Sequence, residues 1–382
     1  MKVLFHSWEF GPGTGGIGQY LYQMALGLTR LGHGVVVASG RVSGMPEEEE
    51  TEYGRIFRCY DREEVRSVRV SERVLGIAGE YGVDIIEGTD HWGECARLIG
   101  MKERPPVLIK YHGCQIIDAL TSAEVVYPWQ HLTVAMALLR IRRQRRAERI
   151  CVEEADLAAA PSEKIRRDYL DQGTRIPAQF AIIPNIFSSP VTPAWGEEAP
   201  VPTLFFAGRL ELRKGVQHLP VILGEVLKHF PDAVLELAGS DSYARGVGSV
   251  REWLRKRFGS LASHVRFLGP LKGDDLARAY GRCQVFVFPT KWDNFPMVIL
   301  EAMARGKAIV TTPHGGMPEM LGGTGSPIVE PSSPEFAAAV CRLLADGQER
   351  RRIGEANLRK VREYTPERVI PQYIRFVESH LP

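Results

Sequence analysis

Short apolar segments alternate with helical segments along this chain, and that alternation constrains its fold more than any other feature of the sequence. The first half opens with a strand at 2–7, a glycine-rich loop, a helix at about 18–31 and a strand at 35–39. The pattern begins again with a strand at 203–207. Because strands that alternate with helices form parallel sheets covered on both faces, the sequence predicts two doubly wound α/β domains that face each other across a cleft.

A proline-rich passage at 188–202, SSPVTPAWGEEAPVP, separates the two series of elements. It shows neither strand nor helix periodicity, which is typical of a linker. We therefore place an N-terminal domain at 1–187 and a C-terminal domain at 203–365. A final helix at 366–382 carries apolar residues on one side, and we expect it to pack back on the N-terminal domain; a cap on the second sheet is the alternative.

The composition is that of a globular protein and excludes disordered and fibrous classes, since 44% of the 382 residues are hydrophobic and 25% are charged. A net charge of +2 gives no reason to expect nucleic acid as a partner. The six cysteines are widely spaced without a CxxC pair, which indicates a reducing compartment. The sequence shows no signal-peptide pattern and no apolar run of spanning length, so we expect a cytoplasmic protein.

One basic stretch stands out at the end of a helix predicted over 128–154. Its arginines are Arg140, Arg142, Arg143, Arg145, Arg146 and Arg149. A basic helix with an apolar front is typical of peripheral contact with anionic lipid, here on the inner face of a membrane. The alternative is a solvated helix face with ordinary ion pairs.

The stretch 283–316 carries the strongest indication of a ligand site. A buried strand at 285–288 is followed by a polar loop and by a helix at 297–305. The first N–H groups of that helix lie at the positive end of its dipole, which suits anionic or hydroxyl-rich ligands. Asp293 and Glu301 bracket the helix start and are placed to accept hydrogen bonds from one elongated ligand; two unrelated surface carboxylates are the alternative.

The loop GRLELRKG at 208–215 follows the first strand of the second domain, so Arg209 and Lys214 are expected beside the ligand crevice. A guanidinium and an ammonium there would bind phosphate oxygens. No D-x-D pair that could hold a divalent cation occurs in the sequence. In the first domain, His112 ends a buried strand and is a candidate acid, base or donor; a structural hydrogen bond is the alternative.

Together these stretches resemble the retaining glycosyltransferases of family 4, which have the GT-B fold of two Rossmann-like domains. The resemblance covers both halves and is most specific in the second. It rests on the glycine loop at 13–18, His112, IPN at 183–185, GRLELRKG at 208–215, DNFPMVILEAMARG at 293–306 and GGMPEML at 315–321. Two positions depart from the family, since Asp293 is one methylene shorter than the usual glutamate and Ile186 replaces the glycine that usually follows Asn185.

The resemblance implies roles for individual residues. Arg209 and Lys214 would bind the donor diphosphate, Glu301 the ribose, and Asp293 would face the transferred sugar. The backbone of Phe295, Pro296, Met297 and Val298 would meet sugar hydroxyls and phosphate. Gly15 and Gly16 would approach the donor from the first domain, with His112 near the reacting centre. The catalytic set implied is Arg209, Lys214, Asp293 and His112.

The implied reaction is metal-independent transfer of a hexosyl group, with retention, from a nucleotide-diphosphate sugar such as a UDP- or GDP-sugar. The acceptor would be a hydroxyl of a glycan, a glycolipid or a small molecule, as in polysaccharide biosynthesis. No cofactor is implied.

Two other enzyme classes remain open from the sequence. Gly13, Gly15 and Gly18 satisfy the GxGxxG pattern of an NAD(P)-dependent oxidoreductase. Several residues separate them from the first strand, however, and no acidic residue ends the second strand, which disfavours that assignment. An enzyme of the same fold with a different reaction, either a sugar-nucleotide epimerase or a phosphorylase-like enzyme, is the second alternative.

Overall fold

The computed structural model describes residues 1–11, 14–113, 142–244 and 246–381. The chain forms two compact units. The first contains Met1–Ser188 together with Tyr364–Pro382, and the second contains Ser189–Glu363.

The first unit is built on an eight-stranded sheet, in the order β3-β4-β2-β1-β5-β6-β7-β8. Its strands are β1 Lys2–Ser7, β2 Gly34–Gly40, β3 Glu48–Thr51, β4 Gly54–Tyr60, β5 Ile85–Thr89, β6 Val107–Lys110, β7 Leu157–Ala160 and β8 Phe180–Ile182. Its first five helices are α1 Gly16–Arg30, α2 Val68–Tyr81, α3 Ala96–Ile99, α4 Arg142–Glu154 and α5 Glu163–Asp171. The central strands β1 and β5 are almost wholly buried, as expected of parallel strands with helices on both faces.

The four successive glutamates at 47–50 predict that residues 41–56 form a solvated excursion, and this prediction is wrong. Glu48–Thr51 forms the edge strand β3, which pairs antiparallel with β4 and makes the sheet mixed. Glu49 accepts a hydrogen bond from Arg58 at 2.7 Å, and Arg55 pairs with Glu48 at 3.3 Å. The run of glutamates is therefore neutralised by arginines of the neighbouring strand, and its charge protects an exposed sheet edge from further pairing.

The second unit contains a five-stranded parallel sheet in the order β13-β10-β9-β14-β15 and a small hairpin. Its elements are β9 Thr203–Ala207, α6 Leu219–Leu227, β10 Val234–Ala238, β11 Tyr243–Ala244, β12 Gly248–Ser249, α7 Val250–Phe258, β13 Val265–Gly269, α8 Gly273–Arg282, β14 Val285–Phe288, α9 Met297–Ala304, β15 Ala308–Thr311, α10 Met317–Met320, α11 Pro334–Ala345 and α12 Gly347–Val361. The strand β14, which lies next to the central strand β9, is a run of four apolar residues and is buried throughout.

The proline-rich segment before β9 is attached along the amino-terminal end of this sheet. Trp195 Nε1 donates to the carbonyl of Gly306 at 2.8 Å. The buried ammonium of Lys307 donates to three carbonyl oxygens, those of Ala194, Gly281 and Cys283, at 2.9–3.1 Å. These bonds satisfy all three donors of the ammonium and hold residues 194–199 against the second unit.

The chain ends in helix α13, Pro366–Glu378, which belongs to the first unit. Its apolar side joins the core of that unit through Val369, Ile370, Tyr373 and Val377. The close approach of α13 to α1 requires a small residue, since a Cβ at Gly27 would lie 2.3 Å from the side chain of Ile370.

We expect Lys307→Met to lower the free energy of unfolding of the second unit by about 3–5 kcal/mol, because it leaves three carbonyl oxygens without their buried donor. Glu198 loses one of its two cations and still pairs with Arg350. Urea denaturation followed by fluorescence measures the change. The control is Lys228→Met, since the exposed Lys228 pairs with Glu225 three residues earlier and its loss should change stability by less than about 1 kcal/mol. Equal midpoints for the two variants would contradict the assignment.

Candidate functional site

The candidate site of the second unit lies at the carboxyl ends of β9 and β14, which are adjacent parallel strands. The loops that follow these strands contain Arg209 and Lys214 in one case and Asp293 in the other. The carboxyl end of a parallel sheet is where open α/β folds bind their ligands. The structure therefore brings the two predicted motifs together at one edge of the sheet.

The two loops are in direct backbone contact. Gly215 has φ of +73° and no room for a side chain, since a Cβ would lie 1.6 Å from the carbonyl oxygen of Pro289. Lys291 N donates to the carbonyl of Arg213 at 2.9 Å. Only glycine fits position 215 without strain, so the last residue of GRLELRKG determines how closely the two loops approach.

Lys214 and Asp293 form an ion pair across the two loops. Both side chains are largely buried, with 14% and 12% of their surface exposed. The ammonium also lies 5.6 Å from the ring centroid of Phe288 at the end of β14. Burial lowers the pKa of Lys214, and the charge of Asp293 opposes that shift. The Lys214 ammonium is thus partly desolvated, and the carboxylate of Asp293 stabilises its positive charge.

Arg209 is far more accessible than Lys214, with 62% of its side chain exposed. Its Nε lies 3.0 Å from Glu211, and the same carboxylate pairs with Arg213 at 3.3 Å. Arg213 in turn donates to the carbonyl of Trp292. Glu211 and Arg213 therefore orient the loop around Arg209, a role that the sequence interpretation missed although both residues lie within the same motif.

Helix α9 begins at Met297, after Pro296 in an extended conformation. Its first turn presents the N–H groups of Met297 and Val298, which have no acceptor within a helix. The buried ring of Phe295 and a bond from Gly316 N to the carbonyl of Asp293, 3.2 Å, fix the preceding loop. The segment 293–298 thus has one defined conformation at the helix start.

Glu301 lies one turn into α9 and accepts a hydrogen bond from the hydroxyl of Tyr280 at 2.9 Å. Burial raises the pKa of Glu301 to about 7, against the smaller opposing effects of Tyr280 and Arg305. Tyr280 lies in the last turn of α8, 21 positions earlier in the chain. Sequence analysis did not assign it, because nothing in its own surroundings in the sequence distinguishes it from a core tyrosine.

In the first unit, Gly15 and Gly16 form the start of α1, directly after the loop that follows β1. Gly15 has φ of +136°, and a Cβ there would collide with the carboxylate of Glu9 at 2.3 Å. Gly13 lies outside the described residues. The start of α1 therefore brings exposed backbone and a carboxylate to the carboxyl end of this sheet.

His112 follows β6 at the same edge of the first sheet, and its backbone N–H donates to Asp90 Oδ1 at 2.8 Å. Asp90 also accepts from Gly113 N and from the hydroxyl of Tyr169. Burial raises the pKa of Asp90 to about 6 and lowers that of His112 well below its usual value. The sequence interpretation missed Asp90, although a carboxylate directly after strand β5 was a signal that could have identified it.

Among the described residues, no group of three or more His, Cys, Asp or Glu side chains is arranged to hold a metal ion. Within the same ranges, no helix has the length and apolar character needed to span a membrane. Of the basic stretch, Arg140 and the side chains of Arg142, Arg143 and Arg145 lie outside the described part.

Two family models match most of the chain between them. The model described as Glycosyltransferase Family 4 matches residues 14–187, and the model described as Glycosyl transferases group 1 matches residues 201–346. The fold and these matches define an enzyme of the GT-B class that transfers glycosyl groups from nucleotide sugars. The chain belongs to glycosyltransferase family 4.

Several known proteins resemble this chain, in sequence or in fold, over most of its length. Sulfoquinovosyl transferase SQD2 of Arabidopsis thaliana is 26% identical over 367 residues, which cover 88% of this chain and 65% of that protein. Sucrose-phosphate synthase from Thermosynechococcus elongatus superposes with a TM-score of 0.80 at 21% identity, covering 99% of this chain and 98% of that one. Anabaena Alr3699/HepE, solved in complex with UDP-glucose, superposes with a TM-score of 0.73 at 19% identity over 99% of this chain and 100% of its own.

These comparisons confirm the predicted fold class and glycosyl transfer from a nucleotide sugar. They do not favour the NAD(P)-dependent oxidoreductase or the epimerase.

We expect Glu301→Gln to raise the free energy of unfolding relative to the parent protein above about pH 7, where the parent carboxyl ionises. The raised pKa means that the folded protein retains a proton that the unfolded chain releases near pH 4.5, so this group lowers stability as pH rises from about 4.5 through about 7. Glutamine does not ionise, and the difference in free energy of unfolding between variant and parent should grow by about 2–3 kcal/mol from pH 4.5 to pH 8.5. Denaturation at both pH values tests this, with the exposed Glu335→Gln as control. A pH-independent difference would contradict the burial of this carboxyl.

Proposed function

We propose that this glycosyltransferase moves a hexosyl group from a nucleotide-diphosphate sugar to a hydroxyl acceptor with retention of anomeric configuration and without a metal ion. One observation supports the assignment above all. The buried Lys214–Asp293 ion pair and the exposed Arg209 lie at adjacent strand ends, beside the first turn of α9. A buried and an exposed cation beside the first turn of a helix are suited to bind a diphosphate leaving group and to neutralise its negative charge.

In the proposed reaction the bond between the anomeric carbon and the phosphate oxygen breaks, and the acceptor oxygen forms the new bond on the same face of the sugar. The departing phosphate oxygen takes the proton of the acceptor hydroxyl. Arg209 and Lys214 stabilise the charge that develops on the diphosphate. This step balances without a redox partner or a covalent enzyme intermediate.

Glu301 and Asp293 would recognise the two ends of the donor. Glu301, oriented by Tyr280, would accept hydrogen bonds from the ribose, and Asp293 would face the transferred sugar. The backbone of 295–298 would bind sugar hydroxyls and phosphate. In the first unit, Gly15, Gly16 and His112 would complete the contacts to the donor.

A UDP-sugar is our first choice of donor. Alr3699/HepE, which shares the fold, was solved with UDP-glucose. A thermal-shift series of nucleoside diphosphates and their hexose conjugates tests the choice, because a ligand that binds only the folded state raises the melting temperature. Product analysis by proton NMR then shows whether the new glycosidic bond retains the anomeric configuration of the donor.

We expect Lys214→Ala to lower kcat at saturating donor by about 10²-fold or more, the scale found when one preorganised charge-stabilising group is removed. Lys256→Ala is the matched control, since Lys256 is an exposed lysine of the same unit on α7. Initial rates at saturating donor and acceptor measure the effect. A Lys214→Ala variant with nearly the parent turnover would show that this ammonium does not act on the leaving group.

Peripheral contact with anionic membranes is also part of the proposal, through the basic helix α4. Of its arginines with described side chains, Arg146 is exposed, whereas Arg149 pairs with Glu153 at 2.8 Å and donates to the carbonyl of Gly173. Arg149 is thus partly engaged in ordinary ion pairing.

Replacing Arg142, Arg143, Arg145 and Arg146 by glutamine should abolish co-sedimentation with vesicles that contain anionic lipid, because about 1 kcal/mol of attraction is lost with each basic residue near the surface. Vesicles of neutral lipid are the control. Equal sedimentation of parent and variant, or none by the parent, would end the membrane proposal.

A further inference from the structure

A cluster of buried ionisable side chains lies beneath His112 in the first unit. It consists of Tyr20 on α1, Glu87 on β5 and Lys110 on β6, which are 0%, 0% and 1% exposed. None of the three has a part in the reaction described above. A buried glutamate and lysine that are not needed for the chemistry require another explanation, since replacing such a pair by apolar side chains is often neutral or stabilising.

The cluster is held by specific contacts. The Tyr20 hydroxyl donates to Glu87 Oε1 at 2.9 Å, and the Lys110 ammonium donates to the carbonyl of Ile183. The same ammonium lies 5.3 Å from the ring centroid of Tyr20. Tyr373 of α13 also interacts with Glu87. Burial raises the pKa of Glu87 and lowers that of Lys110 to about 7, while their mutual attraction opposes the shift of Lys110. The Tyr20 side chain is thus held at its hydroxyl by Glu87 and contacted at its ring by the Lys110 ammonium.

The ring of Tyr20 meets the imidazole of His112 edge to face, with centroids 4.8 Å apart and an angle of 60° between the planes. On its other side, the backbone N–H of His112 donates to Asp90. Its buried Nε2 has no hydrogen-bond partner among the described residues. An imidazole that is held by its backbone can still rotate about its side-chain torsions, and the contact with the Tyr20 ring restrains that rotation.

We propose that Tyr20 is a positioning residue for His112 and that the Glu87–Lys110 pair exists to hold Tyr20 in place. The inference rests on the proposed role of His112 at the reacting centre. A free Nε2 on a fixed, neutral ring is suited to exchange one hydrogen bond with a substrate hydroxyl. Displacing such a group by about 1 Å is enough to cost up to about 10²-fold in rate.

The kinetic test is a double-mutant cycle between Tyr20 and His112. Tyr20→Leu removes the ring, and we expect kcat to fall about 10-fold or more in the parent background. In a His112→Ala background the same substitution should cause no further fall, because the group that it positions is already absent. Equal losses in the two backgrounds would assign Tyr20 a structural role only and would overturn the proposal.

The matched control is Tyr22→Leu. Tyr22 lies on the same helix, two residues further on, and its ring contacts Tyr53 at 5.1 Å instead of His112. It controls for any general loosening of α1, and its kcat should stay within about twofold of the parent. A loss comparable to that of Tyr20→Leu would also overturn the proposal.

A second measurement does not depend on activity. In protein labelled with ¹⁵N-histidine, the His112 ring resonances should shift and broaden in Tyr20→Leu, since both the ring current and the restraint are lost, and should be unchanged in Tyr22→Leu. Unchanged resonances in Tyr20→Leu would contradict the proposal. If His112→Ala keeps full activity, the proposed role of His112 fails, whereas the NMR result still decides whether Tyr20 holds its ring.

Should Tyr20→Leu not fold, Tyr20→Phe serves in its place. It keeps the ring and removes only the bond to Glu87, so we expect a smaller shift of the His112 resonances and a loss in kcat of about two- to fivefold that disappears in the His112→Ala background. A loss that persists in that background would overturn the proposal.

Discussion

The ion pair between Lys214 and Asp293 joins the two loops on which the candidate donor site depends. Each loop begins where a buried strand ends, and each contains groups that would bind a different part of the donor. The backbone contact at Gly215 brings the loops within reach of each other, and the ion pair then sets the position of both side chains. If either strand shifted in register, the lysine and the carboxylate would no longer meet. The proposed chemistry would thus require the register that β9 and β14 have in the sheet.

A comparison with Lys307 shows why burial of a lysine does not by itself indicate a site. Lys307 is 1% exposed, and its three N–H groups are used on three carbonyl oxygens. Such an ammonium has no capacity left for a ligand and acts as a structural anchor. Lys214 is paired with a carboxylate at the end of a strand, an arrangement that a phosphate group of like charge is able to replace. The chemical nature of the partner separates the two lysines better than their exposure does.

The sequence was sufficient for elements whose own residues specify them. The apolar runs at 203–207 and 285–288 form strands because such runs gain most from complete burial, and the structure has both with the predicted bounds. The hairpin at 48–60 was missed because its first strand is made of glutamates, and only pairing with Arg55 and Arg58 makes a strand of that composition stable. Local pattern does not contain that information, since the arginines act across the sheet.

The same limit applies to the site. Arg209, Lys214 and Asp293 were identifiable because each lies within a short motif next to a strand end. Tyr280, which donates a hydrogen bond to Glu301, was not identifiable, because it acts on a residue 21 positions away in the chain. Residues that orient a functional group are chosen by geometry in three dimensions, and a single sequence records only their chemical type.

Asp293 stands where the family usually has a glutamate, and its shorter side chain limits where the carboxylate can lie in the proposed site. A shorter side chain keeps its carboxylate close to a loop backbone that is itself fixed by the bond from Gly316, so the carboxylate has little freedom to follow a ligand. In the free protein that carboxylate is engaged by Lys214. When the diphosphate of a donor takes over the ammonium, the carboxylate loses its cation while it remains largely buried, and hydroxyl groups of the transferred sugar become its best available partners. Binding of the phosphate and recognition of the sugar would then be coupled through the Lys214–Asp293 ion pair. This coupling would explain why the ion pair is buried, since an exposed lysine would bind phosphate equally well.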